Sequence, residues 1–159
     1  MTKPTDARIS RWSTAAWAAL LVLGGFNALA ALLDLMATAG TGLPADHSGT
    51  FTRLVGVSWA GVRAQQPGTA HYITLLERGY VLHELPFALL FLAIVSIPFR
   101  ARQRWAWWSC WAVLIAYGGY ALTFGAHDPT IMTRAALALA ALAALLLAHI
   151  PAFFRRARV

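Results

Sequence analysis

Residues Gly79 to Pro98 read GYVLHELPFALLFLAIVSIP, a run with one histidine, one glutamate and no basic residue. At 1.5 Å per residue a helix of about 20 residues spans the roughly 30 Å hydrocarbon core of a bilayer. Three further runs have the same character: Ala15 to Met36, Trp105 to Phe124 and Ala135 to Phe154. The expected fold is therefore an all-α membrane protein, a single four-transmembrane-helix bundle covering the 159 residues. Composition agrees, with 59% hydrophobic residues, 12% charged residues and a mean hydropathy of +0.60. Soluble domains carry about twice that charged fraction. The one cysteine, Cys110, permits no intrachain disulfide, zinc ribbon or CxxC redox pair, and it reads as a buried apolar residue.

The net charge of +7 is arranged as topology signals rather than as a nucleic-acid face. Lys3, Arg8 and Arg11 precede the first span, Arg100, Arg102 and Arg104 link the second to the third, and Arg155, Arg156 and Arg158 follow the fourth. These three clusters hold most of the 13 basic residues, and Arg53, Arg63, Arg78 and Arg134 are scattered on the other side. The positive-inside rule then places both termini in the cytoplasm, and a plasma (inner) membrane of a bacterial cell is the expected location. Trp12, Trp105, Trp107 and Trp108 fall at the cytoplasmic boundary, where indoles anchor spans. Ala37-Thr38-Ala39 has the small-x-small form of a signal-peptide cleavage site, but the preceding run exceeds a typical apolar region of about 7 to 15 residues.

The outer loop, positions 37 to 78, is too long for a plain connector. Gly40, Gly42, Pro44 and Gly49 predict an irregular first part, whereas Phe51, Leu54, Val55, Trp59 and Val62 recur at helical spacing. A short interfacial helix, or two, is expected there, and from about Thr69 the chain turns helical into the second span.

Ionisable groups in a span tend to face a bundle interior or cavity. Asn27 and Asp34 are seven apart, hence on one helix face, with Asp34 about 3 Å and Asn27 about 14 Å from the expected outer end at Met36. Glu77 and Glu84 share a face of the second span with Tyr80, and Pro86 lacks the amide that would bond the Leu82 carbonyl. With His83 beside Glu84 and Tyr117 and Tyr120 on the third span, these residues predict a polar pocket between the first three spans. Its occupant would be a lipid-like or cationic amphiphilic small molecule, with membrane lipids as the surrounding partners. The alternative is structural: Asp34 solvated near the surface, and Glu84 paired with Arg78 or a tyrosine.

The outward-side imidazoles and carboxylates (His83-Glu84, His127-Asp128, Asp46-His47 and His71) are donor types that suit zinc or copper, but no HxxxH or HExxH spacing supports a metal site. His149 reads as a neutral packing residue. Ala136, Ala140, Ala144, Ala148 and Ala152 form a small-residue stripe suited to an internal seam or to a homo-oligomer or partner face, as in a structural subunit. No GxSxG elbow, phosphate-binding glycine loop or Ser/His/Asp set is present, so the sequence implies no cofactor and the balance of its features is against an enzyme.

Leu32-Leu33-Asp34-Leu35 closing the first span, a long outer loop with Trp59, Leu85-Pro86-Phe87 in the second span and Arg104-Trp105 in a basic link follow one another in order. In this the chain resembles the emopamil-binding-protein and sigma-2-receptor superfamily of four-span proteins, the EXPERA fold. The resemblance covers the chain in outline and implies a lipid or amphiphile pocket that uses Asp34 and Glu84. Sterol isomerases of that family space their histidine and glutamate residues and add polar groups on later spans. Here His83 and Glu84 are adjacent, the third span has no carboxylate and the fourth offers His149, so isomerisation of a lipid double bond stands as a further alternative. The stretch Arg102 to Trp107 is also similar to one in small alanine-rich bacterial membrane proteins.

Overall fold

A computed structural model describes the chain from Pro4 to Phe154, with side chains from Trp12 onward. Lys3, the side chains of Arg8 and Arg11, and Arg155, Arg156 and Arg158 lie outside the described residues. Helix α1 (Pro4–Gly40) leads into α2 (Ala45–Val55) and α3 (Trp59–Gln65), then α4 (Pro67–Ile94), which ends in a π-turn (Val95–Phe99). Helix α5 (Arg104–Thr123) follows, then a 3₁₀ turn (Gly125–His127), α6 (Pro129–Ala148) and α7 (Ile150–Phe154). No strand occurs among the described residues. Trp12–Gly40, Pro67–Phe99, Arg104–His127 and Pro129–Phe154 are long and apolar enough to cross a membrane. The chain is an all-α four-helix bundle and reads as a multi-pass membrane protein.

The helices associate as two pairs. Helix α1 lies along α4 and α5 along α6, with α1 also touching α6, while α4 and α5 meet only sparsely. Gly24 permits the first pairing: a Cβ there would sit 2.7 Å from Leu92 Cδ2 and 3.0 Å from Phe91 Cδ1. Trp17 Nε1 donates to the Val95 carbonyl at 2.9 Å, tying α1 to the π-turn. That turn is widened where Pro98 has no N–H to return to the Ile94 carbonyl. In the second pair Trp107 Nε1 donates to the Leu146 carbonyl at 2.9 Å. A dry core of Leu20, Phe91, Val95, Phe99, Trp107, Cys110, Leu142, Leu146 and Phe153 fills the bundle at the end remote from α2 and α3.

Several expectations change. Trp107 is not an interfacial anchor: it is 5% exposed, because it faces α6, while Trp12, Trp105 and Trp108 point outward. Helix α1 continues through Ala37-Thr38-Ala39 to Gly40, so Asp34 lies about 9 Å from its end rather than about 3 Å. Gly49 falls inside α2 instead of in an irregular segment, and the loop holds two helices. Leu54 and Val55 are exposed, while Trp59 and Val62 pack with Leu43 and Ala70 into a second, smaller core at the loop end. The alanine stripe of α6 is no internal seam, since Ala136, Ala140, Ala144 and Ala148 are exposed and Ile131, Ala135, Leu142 and Leu146 face inward.

Helix α2 is strapped to the bundle on two sides. On one, Asp128 caps α6 by accepting from the Thr130 amide at 2.8 Å, and its carboxylate also accepts from Arg53 Nη2 at 2.7 Å and Thr50 Oγ1 at 3.2 Å. Burial opposes ionisation, but these donors outweigh it and hold the Asp128 carboxyl below its usual range. The strap is thus complete above about pH 4 and weakens as pH falls through the lowered value.

The close approach at Gly24 gives a test. Gly24→Val should lower unfolding stability in detergent by about 1–3 kcal/mol through overpacking against α4. Gly25→Val, where a Cβ meets nothing within 4 Å, should change it far less.

Candidate functional site

Where α4 and α5 diverge, the loop-end half of the bundle encloses a cleft of about 390 Å³. Helix α1 contributes Asn27 and Asp34, helix α4 Tyr80, His83 and Glu84, and helix α5 Tyr117 and Tyr120. All seven residues singled out from the sequence therefore line one space. Phe87, Ala88, Val113 and Ala116 form its apolar walls toward the bundle centre.

The cleft is braced across helices. Tyr117 donates to Asn27 Oδ1 at 2.6 Å, a bond between α5 and α1 deep in the bundle. His83 sits one turn beyond Gly79 and its Nδ1 donates to that carbonyl at 2.6 Å, which leaves Nε2 toward the cleft rim. Although adjacent on α4, His83 and Glu84 both line the cleft. Pro86 lies inside α4, which runs on unbroken to Ile94.

Two polar lining residues, Asp46 and His47, were not singled out for this pocket. Helix α2 lowers Asp46 and His47 into the loop end of the cleft. The His47 ring stacks on Phe124, with centroids 4.5 Å apart at 10°, and has Tyr80 and Tyr120 at its edges. Its Nδ1 donates to Glu77 Oε2 at 2.8 Å. Tyr120 donates to Asp46 Oδ2 at 3.2 Å, so its oxygen is free to accept from His47 Nε2 at 3.3 Å. When the ring is protonated both nitrogens donate in this arrangement, and the neutral ring keeps the Nδ1 bond to Glu77. Burial opposes the charge, but the hydrogen bond and charge of Glu77, with Asp46 and Asp34 beyond it, raise the His47 pKa above the ordinary 6.5.

The structural pairing expected for Glu84 does not form. Arg78 turns away and donates to the Thr38 carbonyl at 3.3 Å, and the glutamate that finds a partner is Glu77. Neither Asp34 nor Glu84 has a hydrogen-bond or ion-pair partner among the described residues, and both are half-buried. No arginine or lysine lines the cleft. His149 is 2% exposed, with Nδ1 2.7 Å from the Leu145 carbonyl and Nε2 3.2 Å from that of Ser13, and so joins α6 to α1 far from the cleft.

Comparisons with family models, curated proteins and solved structures give no match. The chemistry of the site must be read from its own residues. Among the described residues no three His, Cys, Asp or Glu side chains converge in a way that could hold a metal ion. His71 lines a different cavity, and Asp128 is engaged by Thr50, Arg53 and the start of α6. What the cleft offers is negative charge flanked by aromatic faces: Asp34, Asp46 and Glu84 with Tyr80, Phe87, Tyr117 and Tyr120.

The His47–Glu77 contact makes α2 docking sensitive to pH. A raised folded-state pKa contributes stability that is complete below about pH 6.5 and is lost as pH rises through the raised value. The melting-temperature gap between wild type and His47→Gln should be widest near pH 6 and narrow steadily toward pH 9 in a detergent thermal-shift series. A gap that is constant across this range contradicts the charged pairing.

Proposed function

We propose that this protein binds a cationic amphiphilic or lipid-like small molecule in the cleft between α1, α4 and α5. The observation that carries the reading is the concentration of carboxylates: Asp34, Asp46 and Glu84 line one cleft with no arginine or lysine, in a chain whose net charge is +7. Two of them lack any partner of their own among the described residues. An ammonium group would satisfy them, and the tyrosine faces add cation–π attraction of about 0.5–2 kcal/mol. The cleft volume falls in the usual range for small-molecule sites of about 300–1,000 Å³.

Entry is from the side. Helices α4 and α5 meet only sparsely, and Phe87, His83 and Ala116 on their facing edges are exposed. An apolar tail would lie between these helices while the cationic head reaches Glu84 and Asp34. The three basic clusters support an orientation with both termini in the cytoplasm of a bacterial cell, which opens the cleft toward the outer leaflet of the plasma membrane. The EXPERA resemblance points to the same kind of occupant.

Purified protein titrated with a fluorescent long-chain quaternary ammonium probe should bind it, and Glu84→Gln should lose tenfold or more in affinity, about 1.4 kcal/mol. Asp34→Asn/Glu84→Gln should lose more, while binding of an uncharged probe with the same tail stays unchanged. Equal affinity of wild type and both variants for the cationic probe refutes the assignment.

A structural role is the second reading, favoured by the outward position of Ala136, Ala140, Ala144 and Ala148 on α6. Small residues on an exposed helix face let a second helix approach closely. Under this reading crosslinking detects an oligomer that Ala144→Leu abolishes. A monomer before and after the change excludes self-association.

A further inference from the structure

Four basic residues stand apart from the three basic clusters: Arg53, Arg63, Arg78 and Arg134. Arg53 is accounted for by its ion pair with Asp128. Arg63 from α3 and Arg78 from α4 instead converge on a second cavity, of about 360 Å³, at the loop end of the bundle. Its wall includes the last turn of α1 with Thr38 and Thr41, the first turns of α4 with His71 and Thr74, and no acidic residue.

Each guanidinium makes one hydrogen bond to a carbonyl at the end of α1 and is only partly used. Arg63 Nη1 donates to the Thr41 carbonyl at 3.1 Å, and Arg78 Nη2 to the Thr38 carbonyl at 3.3 Å. Each guanidinium carries five N–H donors, so most remain available. Neither arginine has a carboxylate partner among the described residues, where the ion pairs are His47–Glu77 and Arg53–Asp128. Glu77, next to Arg78 in sequence, is committed to His47. The remaining carboxylates of the loop end, Asp34, Asp46 and Glu84, line the other cleft. Two arginines thus line one cavity whose wall holds no carboxylate.

The cavity has further donor groups. The Thr38 and Thr41 hydroxyls donate to main-chain carbonyls, but that of Thr74 has no hydrogen-bond partner among the described residues. Thr74 Oγ1 lies 2.5 Å from where a Cβ on Gly42 would sit, and Gly42 has a φ of +87°. Glycine is required there on both counts, and its missing side chain makes room for the Thr74 hydroxyl and the Trp59 ring. The start of α4 adds the positive end of a long helix dipole.

We propose that this second cavity binds a phosphate group, held by Arg63 and Arg78 with His71 and Thr74 at its edge. Guanidinium pairs match tetrahedral phosphate oxygens through forked, charge-assisted hydrogen bonds. The position fits a phosphate at the membrane surface. The stretch Pro67–Phe99 is about 50 Å long, so it outreaches a hydrocarbon core of about 30 Å and carries its first turns to headgroup level. A lipid headgroup and a free phosphate share this chemistry. The site is separate from the carboxylate-lined cleft and does not rest on the function proposed for it.

Wild-type protein, stripped of lipid in an uncharged detergent, is tested with inorganic phosphate, with dihexanoyl phosphatidic acid and with dihexanoylglycerol, against chloride at matched ionic strength. Phosphate or the phosphatidic acid should raise the melting temperature by roughly 4 °C or more well above Kd, and dihexanoylglycerol should not. A shift with both phosphate compounds identifies a site for the group itself, and a shift with the phosphatidic acid alone identifies a headgroup site. Arg63→Gln/Arg78→Gln should abolish the shift while retaining the helical circular dichroism and the binding of the quaternary ammonium probe. Absence of any phosphate-specific shift in wild type overturns the proposal whatever the fate of the variant. So does an undiminished shift in a folded double variant.

Discussion

Hydrocarbon offers no hydrogen bonds, so a polar group carried below the headgroups must find its partner within the protein. Several of the polar groups in the spans meet that constraint by reaching across to another helix, and others bond a carbonyl one turn back in their own. Trp17 reaches the Val95 carbonyl and Trp107 that of Leu146, Tyr117 reaches Asn27, and His149 lies against carbonyls of α6 and α1. Apart from the local His149–Leu145 contact, these bonds tie neighbouring helices together by joining residues far apart in the chain. Among the described residues the buried Trp111 Nε1 has no hydrogen-bond partner, and the half-buried carboxylates Asp34 and Glu84 also lack one, both of them where the bundle opens. A carboxylate can stay unpaired there because the cleft admits water or a ligand that a packed core would exclude.

The two halves of the bundle are consequently built differently. At the end remote from the loop, large apolar and aromatic side chains from α1, α4, α5, α6 and α7 fill the space between the pairs. Toward the loop end α4 and α5 diverge, and small or polar side chains such as Ala88, Ala116 and Asn27 replace bulky ones. Helix α2 closes that end as a strap between Glu77 on α4 and Asp128 before α6. It also delivers His47, whose pKa is raised by the carboxylates around it and whose protonated ring offsets part of their charge.

Charge at the loop end is sorted by sign. Carboxylates face the space between α1, α4 and α5, and two arginines face the space between the end of α1, α3 and α4. Glu77 and Arg78 are neighbours in sequence yet point to different sides of α4, since successive helical residues are rotated by about 100°. The rotation that keeps them from each other leaves each free to engage a different helix.

The spans and the faces of α1 and α4 were legible in the sequence because helical periodicity is local. Seven-residue spacing places Asn27 with Asp34 and Glu77 with Glu84 on common faces whatever those faces meet. That these faces meet Tyr117 and Tyr120 could be expected from their polarity, since lipid is a poor neighbour for them. The role of His47 was not legible. It depends on a contact with Glu77 thirty positions away and another with Tyr120, and no periodicity links a loop residue to a helix face. The same limit explains why Trp107 and Trp108, alike in sequence, part into core and surface, and why Arg78 bonds Thr38 rather than Glu84. Length, hydropathy and charge flanks by themselves determined four helices and the polar faces they carry. Only the tertiary structure decided which helices diverge, where α2 docks and which carboxylates are left unpaired, because those outcomes depend on packing between segments distant in the chain.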